Sequence, residues 1–115
     1  MDKPMDRITS YLIANYSNLM TIPEHAAYGE ILLAEKQAAT ASSHVGEELA
    51  RRLQQAHPSA RDLLVGGPEQ FFARLTDRLL TECREDISLN YCPKCGSLAR
   101  TPLARQCPEC YHAWH

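Results

Sequence analysis

The sequence has no apolar run that approaches the roughly 18 residues of a membrane-spanning helix. Its first residues, Met1–Asp6, lack the apolar stretch of a signal peptide, so we expect a cytoplasmic protein with no membrane segment. There is also no low-complexity tract, no internal sequence repeat and no glycine-rich phosphate loop. With 44% hydrophobic and 23% charged residues, the 115-residue chain has a globular and not a disordered composition.

Before residue 87, apolar residues recur at helical spacing and predict a bundle of about four helices. Thr21 and Glu24 have the spacing of a capping box, and the helix that follows them is apolar around much of its circumference. Cys83 lies on the apolar face of the last helix, where we expect a small buried side chain, with a reactive or intermolecular thiol as the alternative. The predicted helices cover residues 5–20, 22–40, 45–56 and 69–85, with a short helical turn through 63–65.

After Asp86 the pattern changes to an alternation of apolar and polar residues, which predicts a strand over residues 87–91. Further short strands are predicted at 98–101 and 113–114. The expected fold class is therefore mainly α. Residues 1–86 form a helical bundle in this prediction, and residues 87–115 form a small C-terminal domain of two to three short strands.

Four of the five cysteines occur in two pairs of the form Cys-Pro-x-Cys, separated by eleven residues. Two cysteines at this spacing can point both sulfurs into one turn, and two facing turns supply four thiolates to one ion. Such a closed shell of soft ligands is typical of structural Zn²⁺, and paired cysteines of this kind fit a reducing compartment. The predicted ligands are Cys92, Cys95, Cys107 and Cys110.

Residues 91–111 resemble the zinc ribbons and rubredoxin-like knuckles of many bacterial and archaeal proteins, in which each cysteine pair is often followed by glycine. Gly96 matches that pattern, whereas Tyr111 departs from it. The tail CPKCGSLARTPLARQCPECYHAWH is also similar to the ending of a family of uncharacterised small bacterial proteins with a helical first half. The resemblance implies a zinc ribbon and no enzymatic activity.

Several residues near the cysteines are candidates for further contacts. Residues 91–115 carry a formal net charge of +2, to which four thiolates with one Zn²⁺ add about −2, so the electrostatic attraction to nucleic acid is weak. His112 and His115 are candidates to replace a cysteine ligand or to form a second, weak site with the terminal carboxylate, with solvent exposure as the simpler interpretation. Candidates for contact with nucleic acid or a partner protein are Lys94, Arg100, Arg105 and Trp114, the last of which alternatively packs against the protein.

No hydrolytic constellation is expected, because His25, His44 and His57 have no carboxylate or cysteine at a telling spacing. We therefore expect a non-enzymatic zinc-binding protein that interacts with a protein partner. A nucleic-acid-binding regulator and a rubredoxin-like iron electron carrier are the alternatives. The broad apolar surface of the second helix is compatible with a monomer and with a homodimer.

Overall fold

The computed structural model describes residues 6–114, and this part of the chain is mainly helical. None of its helices is long and apolar enough to cross a membrane. Met5, the predicted start of the first helix, lies outside the described range. The α-helices are α1 (Arg7–Tyr16), α2 (Ile22–Ala41), α3 (Val45–Leu53), α4 (Pro58–Leu63) and α5 (Pro68–Glu82), and two 3₁₀ turns span Ser17–Leu19 and Arg84–Asp86.

Side chains that cap the free N–H groups fix where the helices begin. The Asp6 carboxylate accepts from the N–H of Thr9 at 2.8 Å at the start of α1. The predicted capping box of α2 is confirmed: the Thr21 hydroxyl accepts from the Glu24 N–H, and the Glu24 carboxylate accepts from the Thr21 N–H. Each of these bonds satisfies a donor that has no partner within its helix.

Two of the scattered histidines also cap helices. Nδ1 of His44 accepts from the second residue of α3, and Nδ1 of His57 accepts from the Ser59 N–H at the start of α4. Helix α3 ends at Leu53, three residues before its predicted end. The Arg61 guanidinium donates to the carbonyls of Leu53 and Ala56, so these groups are satisfied without another helical turn.

By packing, the chain divides into two compact units. The central unit comprises Met20–Leu75, and the cysteine unit comprises the described residues up to Leu19 together with those from Thr76 onward. The core of the central unit includes Phe71 and Phe72, whose rings lie 5.3 Å apart, and that of the cysteine unit includes Leu12 and Leu79. The predicted domain boundary at residue 86 stays a prediction.

Helix α2 is buried on one face only. Its buried residues include Ala27, Ile31 and Ala34, which recur at the spacing of one helix face. Ile22 is 86% exposed, and Leu32 and Leu33 are each 45% exposed. The apolar circumference read from the sequence is therefore partly core and partly surface.

The cysteine segment, residues 90–114, contains two isolated β-bridges in the region where strands were predicted. Tyr91 pairs with Leu98, and Gln106 pairs with Ala113, each as an isolated antiparallel bridge. No longer ladder is present in residues 6–114. Each bridge closes a loop that contains one cysteine pair.

Candidate metal centre

The four paired cysteines converge on one point. Their Sγ atoms all lie within 4.8 Å of one another. The Cys92 and Cys110 sulfurs are 3.7 Å apart, and those of Cys95 and Cys107 are 3.4 Å apart. Four thiolates at about 2.3 Å from a tetrahedral zinc ion are about 3.8 Å from one another. The cluster therefore has the size and the donor set of a tetrathiolate metal site.

Each Cys-Pro-x-Cys pair forms a turn that aims backbone N–H groups at its first sulfur. The N–H groups of Lys94 and Cys95 both lie 3.4 Å from the sulfur of Cys92. Those of Glu109 and Cys110 lie 3.3 and 3.4 Å from the sulfur of Cys107, in the same order. Burial acts to raise the pKa of Cys92, but its two N–H donors contribute to a net lowering, and the thiolate is the form that binds metal.

The two turns repeat each other at an interval of 15 residues. The Cys92 N–H donates to the Ser97 carbonyl at 2.8 Å, and the Cys107 N–H donates to the His112 carbonyl at 2.9 Å. The bridges of Tyr91 and Gln106 follow the same interval. Apart from the Cys-Pro-x-Cys pairs, the sequences of the two turns have little in common, so this structural repeat cannot be recognised from the sequence.

The pKa values of two of the four clustered cysteines move in opposite directions. Hydrogen bonds from the Ser97 side chain and N–H lower the pKa of Cys95 to about 6. For Cys110 the His112 N–H acts to lower the pKa, but burial and the neighbouring Cys95 and Cys107 sulfurs outweigh it and raise the value to about 11. Closely spaced thiols that cannot all ionise together behave in this way, and a divalent cation removes that constraint.

Residues far apart in sequence hold the cysteine segment in place within its unit. From α1, the Tyr11 hydroxyl donates to the Ser88 carbonyl, and Asn15 donates to the Arg100 carbonyl at 3.0 Å. Burial raises the pKa of Tyr11, as does the adjacent Tyr16. The sequence carries no signal for these contacts, because each joins residues more than 70 positions apart.

Two further residues, Arg7 and Asn90, contact the second cysteine turn and the connection between the two turns. Arg7 forms an ion pair of 2.7 Å with Glu109, between the second pair of cysteines. Asn90 donates through Nδ2 to the carbonyls of Thr101 at 3.0 Å and Ala104 at 2.8 Å, and thereby shapes the connection between the two pairs. Sequence reasoning placed Asn90 only as the polar member of an alternating strand.

The candidate contact residues lie around this centre on the surface. Lys94, Arg100 and Arg105 are exposed, and their side chains form no ion pair with another described residue. Trp114 is half-buried, and its ring stacks on the ring of His112 at a centroid distance of 6.3 Å. Whether any of these residues contacts a partner stays a prediction.

The remaining candidates lie outside the sulfur cluster. Among the described residues, the metal-binding group contains only the four paired cysteines, and His112 contacts them through its main chain. His115 lies outside the described range. Cys83 is half-buried and separate from the cluster.

Comparison of the chain with protein-family models, curated proteins and solved structures finds no match. The assignment of a metal centre therefore depends on the geometry and chemistry of the four cysteines.

Proposed function

We propose that the four cysteines bind one Zn²⁺ as a structural ion in a zinc ribbon, and that the protein is a non-enzymatic module that binds a protein partner. The observation that carries this proposal is the closed sulfur cluster, whose members are all within 4.8 Å of one another. Four protein ligands complete a tetrahedral shell and leave no position for a water or a substrate. Because free thiolates persist only under reducing conditions, the proposal places the protein in the cytoplasm.

The surface for the partner lies on the connection between the two cysteine pairs. The metal ties both ends of this connection, at Cys95 and Cys107, and Asn90 binds two carbonyls within it. Leu103 lies in the middle of the connection and is 88% exposed. A rigid support beneath an exposed apolar side chain lowers the entropy lost on binding, which suits an interaction site.

The first experiment measures metal content on the purified full-length chain by elemental analysis. We expect one zinc per chain in colourless protein. Replacement by Co²⁺ should give the visible absorption of a tetrahedral tetrathiolate. Cys107→Ser should lose the metal, and Cys83→Ser should retain it because Cys83 is outside the cluster. One iron per chain, or a metal content unaffected by Cys107→Ser, would contradict the zinc assignment.

A second candidate function is a nucleic-acid-binding regulator, favoured by three exposed cations near the cysteine cluster that form no ion pair with another described residue: Lys94, Arg100 and Arg105. The two functions are separated by fluorescence anisotropy with mixed-sequence DNA and RNA between 50 and 200 mM salt. A protein-interaction module should not bind either nucleic acid. Binding that weakens steeply with salt and is lost in Arg100→Ala/Arg105→Ala would establish the alternative.

A further inference from the structure

The uncovered face of α2 has the spacing of a helix-pairing seam. Ile22, Gly29, Leu33 and Thr40 are separated by seven, four and seven residues, which places them within about 20° of one line along the helix. Ala26 and Lys36 complete this line with steps of four and three residues, the spacing of heptad seams in coiled coils. All of these residues except the half-buried Gly29 are exposed. We call these six positions the α2 seam.

The α2 seam carries a protruding side chain at one end and a recess at the other. Ile22, at the first position of α2, is 86% exposed. Near the C-terminal end, a groove of about 480 Å³ is lined by Leu33, Lys36 and Thr40 of α2 and by Glu48 and Arg51 of α3. Thr40 lies 18 positions after Ile22, which is five helical turns and about 27 Å along the helix.

A second protrusion and recess lie nearer the centre of the seam. Leu33 is 45% exposed. At Gly29, one turn away, an added Cβ would meet nothing within 4 Å. Gly29 and Leu33 are equidistant from position 31, and so are Ile22 and Thr40. A two-fold axis perpendicular to α2, crossing the seam at the height of residue 31, therefore places each protrusion of one helix against a recess of the other.

We propose that α2 is the dimer interface of this protein, and that the occupant of the seam is the α2 helix of a second copy, aligned antiparallel. In this arrangement Ile22 of one protomer enters the groove beside Thr40 of its partner, and Leu33 covers Gly29. Both contacts occur twice, as an isologous two-fold interface requires.

The remaining pair of the seam is compatible with the same register. Lys36 lies opposite Ala26, so its methylene groups pack on a small side chain while its ammonium group reaches solvent at the edge. A contact about 27 Å long and one helix wide removes on the order of 1,000 Å² of total surface from water, at the lower end for specific interfaces. We therefore expect a dissociation constant in the micromolar range.

The test is sedimentation equilibrium of the zinc-loaded full chain from 1 to 500 µM. The wild-type protein should form a dimer within this range. Ile22→Lys should weaken association at least tenfold, because it replaces the apolar side chain that enters the partner's groove with a charged one, and Glu48, the one carboxylate that lines this groove, already pairs with Arg51. Val65→Lys introduces the same charge at a 65% exposed valine outside α2 and should leave association unchanged. Circular dichroism verifies that each variant is folded.

A charge-pair rescue tests the orientation. The double variant Ile22→Lys/Thr40→Glu should regain at least tenfold in affinity over Ile22→Lys alone, because the two new charges face each other only across an antiparallel interface. Within one chain they are about 27 Å apart and beyond direct contact. A protein that stays monomeric at 500 µM, a dimer that is insensitive to Ile22→Lys, or a loss without rescue would each overturn the proposal. Failure here leaves the zinc assignment untouched, since that is read from metal content.

Discussion

Tyr111 has the backbone conformation that glycine has in the equivalent turn. Its φ is 62°, and that of Gly96, fifteen residues earlier, is 78°. A non-glycine residue in the left-handed region costs about 1–2 kcal/mol of stability. Glycine avoids this cost, but it makes the unfolded chain more flexible, which offsets part of the gain in stability. We expect Tyr111→Gly to stabilise the metal-loaded protein by about 0.5–1 kcal/mol, measured by urea unfolding. The Tyr111 ring is 73% exposed, so little packing is lost.

The reverse change at Gly96 is the matched control. Gly96→Ala puts a side chain at a positive φ, although an added Cβ would meet no atom within 4 Å. Any loss of stability therefore comes from the backbone conformation and should be about 1 kcal/mol. If Tyr111→Gly and Gly96→Ala changed the free energy of unfolding in the same direction and by the same amount, the left-handed backbone conformation would not explain either effect.

Asn90 acts on the metal centre from a position next to it. Asn90→Ala removes two hydrogen bonds to main-chain carbonyls, each worth about 0.5–1.5 kcal/mol. We expect a loss of about 1–2 kcal/mol in stability and a faster release of zinc to a colorimetric chelator. Asn18→Ala, at an exposed asparagine in the turn after α1, should change neither quantity. Unchanged zinc release in Asn90→Ala would mean that the connection keeps its shape without these bonds.

At the scale of a single element, α2 depends on the cap at its first turn. Thr21→Ala removes the hydroxyl that accepts from the Glu24 N–H, which should cost about 1 kcal/mol of stability in thermal or urea unfolding. Thr21→Ser keeps the oxygen and should retain most of the wild-type stability. A serine variant as unstable as the alanine variant would indicate that the threonine methyl group, and not the cap, is responsible.

At the scale of the whole molecule, metal removal should affect the two units unequally. The cysteine segment has single β-bridges and few buried apolar residues, so we expect its order to depend on the ion. The central unit has its own core of α2, α3, α4 and the first part of α5. After chelation, hydrogen exchange should accelerate at residues 90–114 and stay slow in the buried face of α2. Uniform acceleration over both segments would show that the chain unfolds as one cooperative unit.

The mainly helical fold and the cluster of four cysteines were predictable because their signals are local. The capping box at Thr21 and Glu24 involves residues three positions apart, and each cysteine pair forms within four residues. The pairing partners in this segment were less predictable, because an alternation of apolar and polar residues does not say which residues pair. The anchors Asn15 and Tyr11 gave no signal, since their partners are carbonyls that any residue provides.

The sequence by itself determined that the chain is mainly helical and which four cysteines could hold a metal, since both follow from residue spacing over one or two turns. Only the tertiary structure decided which face of α2 is buried, because Ala27 and Ile31 on one side and Ile22 and Leu33 on the other are all apolar. It also decided the repeat of the two cysteine turns, which is made by main-chain hydrogen bonds. Every residue except proline carries the same main-chain N–H and C=O groups, so their pairing is set by the folded chain and not by side-chain identity.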